Sequence, residues 1–374
     1  MTTNFTINRK ELCDALTAAL AVVPNKPQRD ILKCIKIKAI QSTPDSILIY
    51  ATDLETYVIY KVDKDVIVSK EGEFVVPAIT FFEYIKSLEG DSVDVHQTSE
   101  EGLKINESGT EMEVGLQDLA EFPDFPEIPK SKNDWVSLPD IAIKRALSLV
   151  IFAVADKGHP KWGALAAVCM NFEKDKISFI GTDQHRASVA NLEIIGQNLT
   201  GSYLISASAM ETVGKIFNSD FQLLPNAPNS LIFRSDHCTL FVRLITGDFP
   251  PVRRIVDLHK HQQTLELIVP DFLRQVKKAA LAVDQHNTIK IEIKDAKLQL
   301  IAKTKEQRKN IKVDYAINYK GNGIQFAINC TYLLDLLKAS STDEPLIMRF
   351  NRSNQSLLFE QQNFEHLVMP QETR

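Results

Sequence analysis

Glycine is scarce, with 14 dispersed through 374 residues. No glycine-rich loop that would cradle a phosphate occurs, and no nucleophile elbow, so neither a nucleotide site nor a hydrolase of that design is expected. Cysteine is sparse as well. Cys13, Cys34, Cys169, Cys238 and Cys330 each stand alone in an apolar stretch, which reads as reduced core cysteine and not as a disulfide framework. No apolar run reaches the roughly 20 residues needed to span a bilayer. The opening Met1-Thr-Thr-Asn-Phe-Thr has no basic-then-apolar secretory pattern, so a cytoplasmic protein without membrane contact is expected. Positive charge is not in excess either: 43 Lys and Arg against 48 Asp and Glu leave a net charge of -5. That argues against holding nucleic acid by bulk attraction alone, though not against a local basic lining. Metal-ligand spacing is absent too. His185 lies near Asp183 and His237 precedes Cys238, but no further ligand sits at zinc spacing, and His259 and His261 fall in a polar linker. No metal and no cofactor are expected.

What is present begins with a hairpin used three times. Lys176 to Ala190 reads as an alternating strand, a polar turn at Gly181-Thr182-Asp183 and a second strand. Thr and Asp bond their own backbone in turns, and Gly181 would supply the left-handed conformation. The same phrase occurs at Ser46–Tyr60, with Thr52-Asp53 at the turn, and in worn form at Lys297–Arg308. The threonines are 182 − 52 = 130 and 304 − 182 = 122 residues apart.

Around each hairpin the same plan recurs. Asn8 and Glu11 form a capping box before a helix whose stripe is Leu12, Ala15, Leu16 and Ala19. Strands at Cys34–Ile40, Ser46–Tyr60 and Glu73–Pro77 precede a second helix from Thr80, and polar alternating strands close the unit. The proline-rich stretch Ala120–Asn133 reads as a linker. A helix from Pro139, strands at Leu165–Phe172 and Lys176–Ala190, and a helix boxed by Ser208 and Glu211 repeat the plan. A third round has helices after Pro270 and at Thr331–Ala339. The expected fold is α+β, with three tandem similar domains at 1–125, 126–256 and 257–374, each with two helices on one face of antiparallel strands.

Basic residues recur on equivalent helices: Lys144 and Arg145 in the second copy, Arg274, Lys277 and Lys278 in the third, with Lys215 on a later helix. One such helix would be an ordinary solvated face. Recurrence in an acidic protein suits weak, sequence-independent contact with phosphates.

The chain resembles the β sliding clamp, the processivity subunit of bacterial DNA polymerase III. The resemblance spans the whole chain. Ala51-Thr-Asp-Leu-Glu55, Thr182-Asp-Gln-His-Arg186, Gly247-Asp-Phe-Pro-Pro-Val-Arg-Arg-Ile255, Tyr332-Leu-Leu-Asp335 and Val368-Met-Pro370 carry it, in order and at matching spacing. It implies a head-to-tail homodimer of six domains forming a ring around duplex DNA, helices inside and sheets outside. It also implies a pocket that takes short linear motifs from DNA polymerase subunits, the clamp loader and other proteins. That pocket carries over onto Leu165, Thr182, Gln184, His185, Arg186, Ala187, Pro250, Arg254, Ile255, Tyr332, Leu367, Val368, Met369 and Pro370. Gln184 stands where the family usually has glycine, Ala187 where it has a bulkier aliphatic, and Gln371-Glu-Thr-Arg374 replaces a shorter ending. Basic DNA-contacting loops of the family match Lys26, and loosely Lys161 and Trp162.

A head-to-tail ring would bring an acidic strand (Glu107, Glu111, Glu113) against a basic one (Lys303, Lys305, Arg308, Lys309), with Leu281 adding apolar contact. Opposite charge would then favour this pairing, and edge strands would be covered. The resemblance implies a non-catalytic subunit. Two other readings remain open at the level of sequence: an enzyme at the Asp183-His185-Arg186 turn, and a clamp-like paralogue serving a plasmid or phage replisome or replacing a housekeeping clamp under drug pressure.

Overall fold

A computed structural model describes residues 2–107, 109–129, 135–156, 163–197, 199–226, 229–258, 263–304 and 309–371, without the side chains of Asn226 and Leu258. Its helices are α1 (Arg9–Leu20), α2 (Ala78–Ser87), α3 (Asp140–Val150), α4 (Ala207–Ile216), α5 (Val252–Leu258), α6 (Val269–Ala279) and α7 (Cys330–Ala339). The contacts divide the chain into two compact units, Met1–Ile141 with Ser208–Leu244, and Ala142–Ala207 with Ile245–Arg374. Among the described residues every paired strand runs antiparallel to its neighbours.

The first unit holds two sheets. One has five strands in the order Val66–Lys70, Asn4–Asn8, Ser92–Gln97, Gly102–Glu107, Thr110–Gly115. The other has eight, and the strand Cys238–Arg243 pairs with Thr56–Val62 to join two halves far apart in sequence. Asn8 caps α1 as expected, its Oδ1 accepting the Lys10 and Glu11 N–H groups at 2.9 and 3.3 Å. The stripe Leu12, Ala15, Leu16 and Ala19 is buried, each large aliphatic side chain contributing about 1.5–3 kcal/mol. Between them α1 packs against α2, the hairpin strands Ser46–Thr52 and Thr56–Val62, and Asn4–Asn8 of the smaller sheet.

The second unit repeats the scheme. Its eight-stranded sheet contains Lys176–Thr182, Arg186–Glu193 and the tail strand Phe364–Val368 side by side. Its four-stranded sheet ends on the edge strand Lys309–Ala316. Asn329 caps α7 by accepting the Thr331 N–H at 2.9 Å. Pro270 sits in the first turn of α6, where its missing N–H costs nothing, and Val269, Phe272, Val276 and Ala279 are buried.

Several boundaries differ from the sequence expectation. The helix expected from Thr80 begins at Ala78, capped by Pro77 without a side-chain bond. Ser208 lies inside α4 and not at its cap. The strands Asn4–Asn8, Val66–Lys70, Val136–Leu138, Phe221–Asn226 and Gln263–Leu267, and helix α5, were not anticipated. Part of the presumed linker is docked: Phe122 is buried and Phe125 packs against the same cluster. Each repeat was expected to carry its own meander, whereas the eight-stranded sheets join strands of successive repeats.

Candidate functional site

The two best-preserved hairpins share one hydrogen-bond frame. In the second, Thr182 Oγ1 donates to the Arg186 carbonyl at 2.7 Å and accepts the Gln184 N–H at 3.1 Å. Asp183 Oδ1 accepts the N–H groups of His185 and Arg186, both at 2.9 Å. In the first, Thr52 bonds the Thr56 carbonyl and the Leu54 N–H at 2.8 and 2.9 Å, and Asp53 Oδ1 takes the N–H groups of Glu55 and Thr56 at 3.0 and 2.6 Å. The Thr-Asp pair is thus a turn device. In the worn copy Lys305 stands in place of the aspartate; Thr304 Oγ1 bonds the carbonyls of Ala282 and Val283, and 305–308 lie outside the described residues.

The left-handed position is not Gly181. It is Gln184 (φ 74°), with Leu54 (φ 75°) its equivalent. Gly181 serves a close approach instead, since a Cβ there would stand 2.4 Å from the Val150 carbonyl oxygen. A side chain held left-handed costs about 1–2 kcal/mol, partly offset for glycine by about 0.5–1 kcal/mol of extra unfolded-chain entropy. Gln184→Gly is therefore expected to stabilise the protein by about 0.5–1 kcal/mol, read as a higher urea midpoint at unchanged slope.

Arg186 ties this hairpin to α7. Its Nε donates to Asp183 Oδ2 at 3.0 Å and an Nη to Asp335 Oδ2 at 2.8 Å. The guanidinium lies 4.4 Å from the Tyr332 ring centroid and 5.6 Å from that of Phe152. Behind it, His366 is fully buried, its Nδ1 2.7 Å from Ser188 Oγ and its ring 5.3 Å from Phe152. Burial, and then the nearby Arg186 charge, push the His366 pKa down to about 3, so the ring is neutral at ordinary pH.

Beside this hub opens a groove of about 320 Å³. Thr182, Gln184, Arg186 and Ala187 form one wall, Pro250, Val252 and Ile255 a second, and Leu367 with Met369 the third. The tail is placed by strand pairing, Ala187 opposite Leu367 and Arg186 opposite Val368, and by the Met369 N–H donating to the His185 carbonyl at 2.9 Å. Three larger hollows of this unit, about 550, 520 and 480 Å³, mix charged, hydroxyl and amide side chains with apolar ones, and the first two share the strand ends around Gln361 and Phe364. The smaller groove has the apolar walls and few polar guides of a ligand site.

Eight of the expected pocket residues meet there: Thr182, Gln184, Arg186, Ala187, Pro250, Ile255, Leu367 and Met369. Tyr332 acts through Arg186. Val368 and Leu165 are buried and do not face the groove, while the His185 and Arg254 side chains are exposed and Pro370 is half-buried. Val252, Asp335, Phe152 and His366 were not foreseen as site residues, and Asp183 was foreseen as a turn residue but not as a partner of Arg186. For Val252 the signal was the start of a short helix after Pro250-Pro251.

Residues 3–126 match the pattern of the DNA polymerase III beta subunit, N-terminal domain, and residues 259–372 that of its C-terminal domain. The chain belongs to this family. The beta sliding clamp of Chlamydia pneumoniae is 23% identical over 344 residues, 91% of this chain and 90% of its own. That of Chlamydia trachomatis is 25% identical over 341 residues, 90% and 79% of the two chains. The DNA polymerase III beta chain of Streptococcus pneumoniae has a TM-score of 0.91 at 19% identity, covering 99% of this chain and 100% of its own. The mixed α/β architecture is the clamp fold. Sliding clamps are non-catalytic accessory subunits, so the Asp183-His185-Arg186 turn is not an enzyme site, consistent with the internal use of the Asp183 carboxylate. The relatives do not favour a plasmid or phage paralogue over a processivity clamp.

The remaining expected clamp residues fall in several places. Lys26, Lys215, Lys277 and Lys278 are exposed. Lys144 is half-buried on α3, and Arg274 pairs with Asp271. Arg145 donates to the Ala339 carbonyl at 2.8 Å, capping the end of α7. Lys161, Trp162, Lys305 and Arg308 lie outside the described residues. Glu111 and Glu113 occupy an edge strand, but Lys104 of the neighbouring strand meets both, at 2.8 and 3.2 Å. Glu107 accepts the N–H groups of Glu89 and Gly90 within its own unit. Lys303 and Lys309 are exposed, and Leu281 is 70% exposed. Among the described residues no helix is long and apolar enough to cross a membrane.

Proposed function

We propose that this chain is a cytoplasmic processivity clamp whose copies pair head to tail into a ring around duplex DNA. Three successive domains, 1–125, 126–256 and 257–374, would supply half of that ring. A closed ring cannot thread onto circular DNA, so a clamp loader must open it. Once closed, it keeps a polymerase on DNA by topology, and the polymerase is held at high local concentration by a short segment seated in the groove. The observation that carries this reading is the apolar groove built by the hairpin, α5 and the tail strand, in a chain of the clamp family.

Sliding needs weak contact. The exposed lysines at Lys26, Lys215, Lys277 and Lys278 suit loose, salt-sensitive attraction to phosphates. Closure needs edges. Thr110–Gly115 and Lys309–Ala316 each end a sheet, and unpaired edges of this kind invite a partner strand. Because Lys104 already neutralises part of the acidic edge, apolar contact at Leu281 carries more of the pairing than charge does. Leu281→Asp is expected to convert dimer to monomer in sedimentation, whereas reversing Glu111 and Glu113 to Lys has the smaller effect. The function is tested by primer extension on primed circular DNA with a loader and polymerase. Product length should rise severalfold with this chain, and no gain with several polymerases would refute the proposal.

A further inference from the structure

The first hairpin repeats the main-chain frame of the second, but its apolar side is already filled. Phe125 lies edge-on to Tyr50 and Tyr57, at 5.0 and 5.2 Å between centroids, and stacks on Phe122 at 6.1 Å. Leu54, the left-handed residue, packs against the same cluster. Its counterpart Gln184 borders open space.

Two substitutions within the repeat account for the difference. Counting from the turn threonine, Tyr57 (52 + 5) corresponds to Ala187 (182 + 5). Counting from the Phe-Pro pair, Phe125 (122 + 3) corresponds to Val252 (249 + 3). Where the first copy has two aromatic side chains in edge contact, the second has alanine and valine, and the groove of about 320 Å³ opens beside them.

We infer that the hairpin Thr52–Thr56 is a second docking frame of the same kind, closed in cis by the chain's own Phe122–Phe125 segment. The inference rests on reading the open groove as a docking site. Its occupant is visible: an extended, acidic, proline-broken stretch that places two phenyl rings three residues apart. A partner segment of that chemistry would fit the frame whenever the cis copy is removed. Each chain would then offer one open groove and one latent groove.

The test uses the full chain and a fluorescein-labelled octapeptide with the sequence of residues 120–127, Ala-Glu-Phe-Pro-Asp-Phe-Pro-Glu. Phe125→Ala should bind one more peptide per chain than wild type. Phe125→Leu, which keeps an apolar side chain, replaces it should the alanine variant lose its near-UV circular dichroism. Adding Ala187→Tyr should leave the gained site intact. A folded Phe125 variant with the wild-type number of sites overturns the inference. Ala187→Tyr alone separates the two levels: if it leaves polymerase tethering on circular DNA unchanged, the reading of the open groove fails, whatever Phe125 does.

Discussion

Arg186→Ala is expected to lower the unfolding free energy of the second unit by about 3 kcal/mol and to abolish docking in the groove. The arginine side chain is only 10% exposed and bridges two carboxylates, Asp183 at 3.0 Å and Asp335 at 2.8 Å. Removing it leaves both acids partly buried without their cation, which costs more than the bridge itself is worth. Two aromatic faces also lose their guanidinium, adding about 0.5–1 kcal/mol. Arg186→Lys keeps the charge but not the planar fork that reaches both acids and stacks on Tyr332, so it should recover less than half of the loss. Urea unfolding followed by circular dichroism measures this. A loss below about 1 kcal/mol in the alanine variant would mean that the hub behaves as a surface ion pair.

The second large effect is pH dependence from His366. Its folded pKa of about 3 lies below the ordinary 6.5, first because burial penalises the charged ring and then because Arg186 repels it. Between those values the unfolded chain takes up a proton that the native protein refuses. This contribution is therefore complete above pH 6.5 and is lost as pH falls toward about 3. The slope approaches about 1.4 kcal/mol per pH unit well inside the window. His366→Asn keeps a polar atom near Ser188 Oγ and removes the titration. The variant should be less stable than wild type at neutral pH, yet its stability should be flatter between pH 6 and about 4.5, above most carboxylate titration. An unchanged slope would show that His366 is not the group responsible.

Local patterns in the sequence disclosed most of the helices. The stripe Leu12, Ala15, Leu16, Ala19 and the Asn8 cap needed nothing beyond neighbours three and four residues away, and the structure reproduces both. The turn chemistry of Thr182 and Asp183 was legible for the same reason. The left-handed residue was misplaced because glycine is its usual occupant, whereas here the bonds from Thr182 and Asp183 hold Gln184 there. Helix α5 escaped notice because seven residues after two prolines give too little periodicity. The hub was invisible for a different reason. Arg186 and Asp335 are 149 residues apart, and Ser188 and His366 are 178 apart. Only the pairing of the tail strand with Arg186–Glu193 brings Ser188 and His366 opposite each other. The groove residues were named through family resemblance, which preserves such long-range pairings, while Phe152 had no local signal and Val252 only the start of a short helix after Pro250-Pro251.

The central claim is that this chain holds DNA by encircling it and not by gripping it. The direct measurement is retention of loaded, labelled protein on a nicked circular plasmid, followed by a single restriction cut. The protein is expected to stay on the circle through gel filtration at moderate salt and to run off within minutes of linearisation. Retention on the linear DNA, or equal loss from circle and line, would contradict it.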